Sequence, residues 1–282
     1  MITVLEAINL STDFLQKKGI QSPRINAELL LASVLKCKRL QLYLSFDRPL
    51  KQNELDEYRR MIKRRSSFEP LQYITGHVEF CNLEYKITPA VLIPRPETEM
   101  LVETIIQNCN DKITILDIGS GSGIIGISLA VSLRNSIVYC TDISDEAIIL
   151  AKENARRHNI LSRISFLKHN IISQEIDFIP FLDVIVSNPP YISTNDFNTL
   201  QEEIKNFEPR YALTDESDGY TFFKVIALKA MNKLIEGGKL FFEIAEGQSN
   251  TVKNIMQENS FSNIKIVKDY QNIDRVIYGV KK

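Results

Sequence analysis

The sequence predicts an α/β fold: a mainly parallel sheet covered by helices on both faces, with an antiparallel pair of strands at one edge. A small all-helical domain and a β-hairpin linker precede it. Three observations carry this prediction. From residue 97 onward, helical and strand patterns alternate, and such alternation builds parallel strands joined by helical crossovers. The last two strand patterns, near 262–267 and 274–280, have no helix between them and form the antiparallel edge. Before residue 67, apolar residues recur at helical spacing.

In order, residues 1–66 read as helices. Val4, Leu5, Ile8 and Leu15 mark the first. Ser22-Pro23, an N-cap with proline in the first turn, opens a second that carries Ile25, Ala27 and Leu29–Leu31. Residues 51–66 form a charged amphipathic helix with Leu55, Tyr58, Met61 and Ile62 on its inner face. Residues 67–96 are punctuated by Pro70, Gly76, Pro89, Pro94 and Pro96, and between these Val78–Phe80 and Leu83–Ile87 alternate as a hairpin about Cys81-Asn82. The third region, 97–282, contains helix 97–109, strand 113–118, helix 123–134, strand 137–142, helix 144–158, and strands 163–168 and 182–187. Helix 219–235, strand 238–244, helix 247–257 and the two edge strands complete it.

Composition narrows the function classes. With 44% hydrophobic and 24% charged residues and a net charge of −1, the 282-residue chain is an ordinary globular protein and no polycation for non-specific nucleic-acid binding. The charge is uneven: residues 1–89 carry 14 basic against 10 acidic side chains, a net of +4. Arg59, Arg60, Lys63, Arg64 and Arg65 supply much of it, read first as a solvated helix face and second as a docking patch for an acidic partner or RNA. Cys37, Cys81, Cys109 and Cys140, like His77, His158 and His169, are scattered, so no zinc site is legible and no metal is expected. Cys140 falls in an apolar strand pattern and reads as a buried thiol. With no signal peptide and no apolar stretch long enough to span a bilayer, a reducing cytoplasm is expected.

Two strand ends carry the chemistry. After strand 113–118 comes Asp117-Ile118-Gly119-Ser120-Gly121-Ser122-Gly123, and with Gly126 this approximates a dinucleotide fingerprint. Asp117 within the turn would repel a pyrophosphate, yet suits a ligand's ammonium or bound water. Asp142, ending the next strand, is placed to accept from both hydroxyls of a ribose. A ribose, no phosphate and a cationic amino-acid tail describe S-adenosylmethionine better than NAD. Asn170, beyond the third strand, is a candidate for the adenine amine. The second strand end reads Ser187-Asn188-Pro189-Pro190-Tyr191. Two prolines stop the strand and stiffen it. The Asn188 side-chain oxygen and the Pro189 carbonyl give two acceptors, and Tyr191 a ring, which together suit a flat group bearing an NH2.

These residues resemble those of class I S-adenosylmethionine-dependent methyltransferases, with their Rossmann-like sheet. More narrowly the chain resembles the PrmC/HemK family, protein-(glutamine-N5) methyltransferases of peptide chain release factors. Glu69-Pro70-Leu71-Gln72-Tyr73-Ile74-Thr75-Gly76 is similar to the family's linker, Ile93-Pro94-Arg95-Pro96-Glu97-Thr98-Glu99 to its Arg-Pro-(Glu/Asp)-Thr-Glu segment, and Phe207-Glu208-Pro209-Arg210-Tyr211-Ala212-Leu213 to its Phe-Glu-Pro segment. The resemblance implies that residues 1–66 dock the substrate and that 97–282 bind S-adenosylmethionine, with S-adenosylhomocysteine as product. It implies cofactor contacts from Gly119, Ser120, Gly121, Ser122, Gly123, Asp142, Asn170, Ile171 and Asn188. Asn170 stands where the family usually has an acid, and Ile171 where an aromatic is common. Asn188, Pro189, Pro190 and Tyr191 would hold the substrate glutamine, with Asn188, Pro189 and Tyr191 acting in catalysis. The expected partner is a release factor rather than nucleic acid or membrane, and the expected state a monomer. The alternative is an adenine or guanine amino-methyltransferase that uses the Arg59–Arg65 cluster and receives a flipped base. Glu97, Glu99, Glu208 and Arg95 remain open: helix-terminal charge suits the first two equally well.

Overall fold

The computed structural model describes residues 2–282 and divides into two compact units. One contains the chain up to His77 together with Gln201–Phe207; the other contains Val78–Leu200 and Glu208–Lys282.

The first unit is built from α1 (Val4–Lys17), α2 (Pro23–Leu35), α3 (Arg39–Leu42), α4 (Gln52–Arg65) and α5 (Leu71–Thr75). Val4, Ile8, Leu15, Leu30, Leu31, Leu42 and Tyr58 form its buried core. Thr3 caps α1 in a capping box with Glu6. Pro23 does open α2, but Ser22 is no side-chain cap: it adopts a left-handed φ of 47°, and its carbonyl accepts from Asn26 instead. The helices α3 and α5 span four and five residues, too short to show a periodic window in the sequence. Because α5 packs on α2 and α4, this unit extends past residue 66 to His77. Within the unit most of the basic cluster is matched by acid: Arg59 with Asp56, Arg60 with Glu57, Arg64 with Glu69, and Arg65 with Asn26 and Glu203.

From Val78 the second unit begins with the hairpin of β1 (His77–Phe80) and β2 (Leu83–Lys86). Cys81 and Asn82, at φ 49° and 59°, form its two-residue turn. The hairpin is pinned from inside: Tyr85 shares a 2.7 Å hydrogen bond with Ser128, and Asn154 pairs with both backbone groups of Lys86. Next come α6 (Thr98–Asn108), β3 (Thr114–Ile118), α7 (Ile124–Ser132), β4 (Ile137–Asp142), α8 (Asp145–Arg157), β5 (Ile164–Lys168) and β6 (Leu182–Ser187). The stretch after β6 holds short helices that the sequence did not reveal, α9 (Thr194–Phe197), α10 (Glu202–Phe207, which belongs to the first unit) and a 3-10 turn at Arg210–Ala212. The chain ends with α11 (Thr221–Lys233), β7 (Leu234–Glu243), α12 (Ser249–Glu258), β8 (Phe261–Lys268) and β9 (Asp274–Lys281).

The seven strands run in the order β5-β4-β3-β6-β7-β9-β8. The first five are parallel, and β9 and β8 are antiparallel, so the α/β prediction with its antiparallel edge pair holds. The strand β7 starts four residues earlier than the sequence pattern implied, because an irregularity opposite Leu182–Val184 accommodates Gly237 and Gly238. Two apolar cores fill the two faces. Ile115, Val138, Val184 and Phe241 point to one, and Leu116, Ile185, Leu240 and Phe242 to the other. The strand order reverses between β3 and β6, and in sheets of this kind ligands bind beyond the carboxyl ends of such a pair.

Candidate active site

A cavity of about 320 Å³ lies at that reversal. Its wall includes Gly119, Gly121, Asp142, Asn170, Ile171, Asn188, Pro189 and Pro190 from the residues expected from sequence. Strand register explains the convergence: Ile118 pairs with Thr141 on one side and Ser187 on the other, so Gly119, Asp142 and Asn188 emerge at one level. Ser120, Ser122 and Gly123 do not form the wall; both serines are buried under the loop. Tyr191 does not form it either: its ring packs against the core behind the strand tip.

The glycine loop faces inward. Gly119 and Ser120 both donate to the Thr141 carbonyl at 2.9 Å, Gly123 donates to Ser120 at 2.8 Å, and Gly121 donates to Asp142 Oδ2 at 2.8 Å. A pyrophosphate cradle needs outward N–H groups, and these four are spent on the protein's own backbone and on Asp142. Gly123, at φ 82°, caps α7. Gly126 serves packing: a Cβ there would run into Cys140 Sγ and come within 3.2 Å of Asp117 Oδ2, so only glycine lets α7 sit this close to β3 and β4.

Asp117 corrects the sequence reading. It is fully buried and stands off the cavity wall. Its Oδ2 accepts from the Gly126 N–H at 3.0 Å, while no described group reaches Oδ1. Burial pushes its carboxyl up to about 7, against the pull of the Gly126 amide and with repulsion from Asp142. Asp142, in contrast, stands on the cavity wall with each oxygen holding one N–H, Oδ2 that of Gly121 and Oδ1 that of Ser144 at 2.9 Å. Burial raises it, and those amides hold it back. The Ile143 amide also acts on this carboxyl, and since a carboxylate has about four acceptor sites, Asp142 keeps acceptor capacity toward the cavity for a ribose hydroxyl. Asn170 is partly spent: its Oδ1 accepts from Ile172 at 3.0 Å, leaving its NH2 as the free end.

At the other wall, Asn188 donates from Nδ2 to the Thr98 hydroxyl at 3.4 Å, which leaves Oδ1 as its free acceptor. The Tyr191 hydroxyl donates to Glu243 Oε1 at 3.3 Å, and Gln248 donates to the Tyr191 carbonyl. Burial raises the Tyr191 phenol. Glu243 is itself buried, and burial pushes its carboxyl up to about 7 while the Thr98 and Tyr191 hydroxyls draw it down.

Several wall residues were invisible to sequence reasoning. Ala90, Val91 and Leu92 line the cavity from the segment before α6, and Tyr211, Ala212, Phe222 and Ile226 close it from beyond β6. The Tyr211 hydroxyl donates to the Ala90 carbonyl at 2.7 Å, tying the two segments together. Glu208 makes a second tie: it accepts from Arg95 at 2.5 Å and from the Ile93 N–H at 3.1 Å. That assigns Arg95 and Glu208 to holding the cavity's rim. Glu99 accepts from the Cys81 N–H at 2.7 Å and so anchors the hairpin turn. The one available signal was the presence of Glu208, Tyr211 and Arg95 in the two Pro-containing segments quoted above.

Residues 6–76 match the family model described as PrmC N-terminal domain, and residues 96–207 match the one described as Methyltransferase small domain. A protein of Fusobacterium nucleatum named release factor glutamine methyltransferase is 42% identical over 281 residues, covering 98% of this chain and 78% of its own length. The chain belongs to the release factor glutamine methyltransferase family. A second member, from Geobacter sulfurreducens, is 39% identical over 277 residues, covering 98% of this chain and 96% of its own. The crystal structure of a methyltransferase from Pyrococcus furiosus shares the fold, with a TM-score of 0.54 at 20% identity over 71% of this chain and 89% of that one. Among the described residues, no helix is long and apolar enough to cross a membrane.

Proposed function

We propose that this protein methylates the side-chain amide nitrogen of the glutamine in the Gly-Gly-Gln motif of peptide chain release factors, with S-adenosylmethionine as donor, in support of translation termination. The observation that carries the reading is one cavity lined both by the Gly119–Asp142 pair and by the Asn188–Pro190 tip. The names of the relatives at 42% and 39% identity support the substrate.

The residues present fit the donor. Asp142, which keeps acceptor capacity toward the cavity, would take the ribose hydroxyls; the apolar Ile171 beside the NH2 of Asn170 suits an adenine ring; and the inward loop amides leave no place for phosphate. S-adenosylmethionine supplies a methyl on a sulfonium, which passes to nitrogen while sulfur keeps the bonding pair and one N–H proton departs to water. The protein's part is to aim an amide nitrogen whose lone pair is delocalised into its carbonyl. Asn188 Oδ1 and the Pro189 carbonyl would accept its two hydrogens and favour positive charge growing on nitrogen, the converse of an oxyanion hole. Pro190 keeps the tip rigid. Tyr191, packed behind the tip, would support it from below rather than stack on the amide.

The test uses methyl-labelled S-adenosylmethionine and an extract of cells lacking this methylation, with halves of the product treated by protease or nuclease. Label that survives nuclease and is lost to protease is expected, with a release factor as the labelled band. Label lost to nuclease would overturn the reading in favour of base methylation.

A further inference from the structure

We infer that Thr98 and Glu243 are positioning residues that set the polarity of Asn188, keeping its oxygen rather than its NH2 toward the substrate. The inference rests on the reading of Asn188 as acceptor for the substrate amide.

A side-chain amide has two nearly isosteric ends, one accepting and one donating. For a substrate that presents an NH2, only one of the two orientations works. Something must therefore hold Asn188 against a half-turn about its terminal bond. In this structure its Nδ2 donates to the Thr98 hydroxyl at 3.4 Å. A hydroxyl can either accept from Asn188 or donate to it. It accepts reliably only if its own proton is committed elsewhere.

Glu243 is the group offered to that proton: the Thr98 hydroxyl lies near enough to draw its carboxyl down, while the one hydrogen bond Glu243 accepts among the described residues comes from Tyr191. The parallel register pairs Ser187 with Phe242, so Asn188 and Glu243 leave adjacent strands at one level. Glu243 is 3% exposed and faces the hydroxyls of Thr98 and Tyr191. Its Oε1 accepts from Tyr191 at 3.3 Å, while among the described residues Oε2 has no partner at hydrogen-bond distance and is open to the Thr98 proton. Ionised, as it is above about pH 7, this carboxylate only accepts. It therefore orients both hydroxyls toward itself, and the Thr98 lone pairs then turn to Asn188 Nδ2. One buried acid on β7 thus fixes two residues of the β6 tip, through a threonine in the first turn of α6. This also gives Thr98, within the Arg95–Glu99 segment, a role apart from helix-terminal charge.

The arrangement predicts the effect of a single-atom change. In Glu243→Gln the amide accepts from one hydroxyl but must donate to the other, so the chain Glu243–Thr98–Asn188 reverses and the Asn188 NH2 faces the substrate. Thr98→Val keeps shape and loses the hydroxyl; Thr98→Ser keeps the hydroxyl. Full-length variants would be assayed with an unmethylated release factor and labelled S-adenosylmethionine, and S-adenosylhomocysteine affinity measured by calorimetry. Expected is a fall of about 10-fold or more in kcat/KM for the release factor in Thr98→Val and Glu243→Gln, from the loss of one orienting hydrogen bond. Nucleoside affinity should stay within about twofold, and Thr98→Ser should recover to within about threefold of wild type. The Thr98 pair keeps the test decisive if Glu243→Gln folds poorly. Wild-type kcat/KM in Thr98→Val beside an inactive Asn188→Ala would overturn this inference alone. Wild-type activity in Asn188→Ala would overturn the reading beneath it as well. Equal losses in Thr98→Val and Thr98→Ser, with weakened nucleoside binding, would mark a merely structural role and overturn it too.

Discussion

The β3–α7 loop and the tip of β6 line one cavity and are made in different ways. The loop is backbone chemistry. Its glycines turn at φ of 73°, 54° and 82°, and its amides bond to Thr141, Ser120 and Asp142, all within about two dozen residues. The tip is side-chain chemistry gathered from afar: Asn188 meets Thr98, and Tyr191 meets Glu243, partners 90 and 52 positions away. A site made from local backbone announces itself in a sequence and depends on few residues. A site made from distant side chains is announced only in part, and depends on groups that no local pattern exposes.

The largest effect belongs to the tip. Replacing Asn188 by Ala removes the proposed acceptor at the reacting nitrogen, and a lost donor or acceptor aimed at developing charge costs about 10²–10³ in kcat. Asn188→Asp keeps an acceptor but cannot donate to Thr98 when ionised, so its loss should be smaller than that of Asn188→Ala. Steady-state kinetics with a release factor checks both. Equal activity in the two variants and wild type would show that the tip is not the reactive wall.

The loop should break differently. Asp142→Ala removes the acceptor capacity toward the cavity and also frees the N–H groups of Gly121 and Ser144. A charge-assisted hydrogen bond contributes about 1.5–3 kcal/mol, so affinity for S-adenosylhomocysteine should fall roughly 10- to 100-fold by calorimetry. Here the change is in binding of the nucleoside, whereas Asn188→Ala should leave that binding nearly intact. Unchanged affinity in Asp142→Ala would remove the distinction between the two walls.

The same contrast explains what was legible in the sequence. The sheet and its order of elements followed from apolar runs and helical spacing, since each is a local pattern that burial enforces. Gly119–Gly123 and Asp142 were legible because a tight strand-to-helix turn needs glycine and because strand ends collect ligands. Asn188–Pro190 were legible because two prolines at a strand end are rare. Thr98 and Glu243 were not, since only the α6 position and the β6–β7 register bring them to Asn188. Ala90–Leu92 and Tyr211 were hidden for the same reason. Asp117 was misread: a carboxylate beside a glycine loop looked outward-facing, but the side chains of β3 alternate, and its side lies under α7, against Gly126.

The smallest expected effect compares the two buried acids, one behind each wall. Asp117 rises from an ordinary 3.8 to about 7 and Glu243 from 4.5 to about 7, both mainly through burial. Between those limits the folded protein holds more protons than the unfolded chain, so these groups add stability at low pH and lose it as pH rises through about 7. Carboxylates held below their ordinary range, such as Glu28, Asp215 and Asp269, have the opposite sign but act near pH 4. His169, which burial holds below 6.5, also opposes, over the lower part of the window. Around Glu243 the balance also includes Glu97, which raises it, and Arg275, which lowers it. From pH 5 to pH 7 the net slope should therefore be downward, at up to about 1.4 kcal/mol per pH step for each group while it is protonated in the fold and ionised in the unfolded chain, flattening above about 7, equivalent to a fall of about 2–4 °C in Tm per kcal/mol. Asp117→Asn keeps an oxygen for the Gly126 amide and removes one titration, so its Tm should fall less over the same range, as should that of Glu243→Gln. Equal slopes in wild type and both variants, measured by scanning calorimetry, would mean that neither acid carries its proton into the folded state.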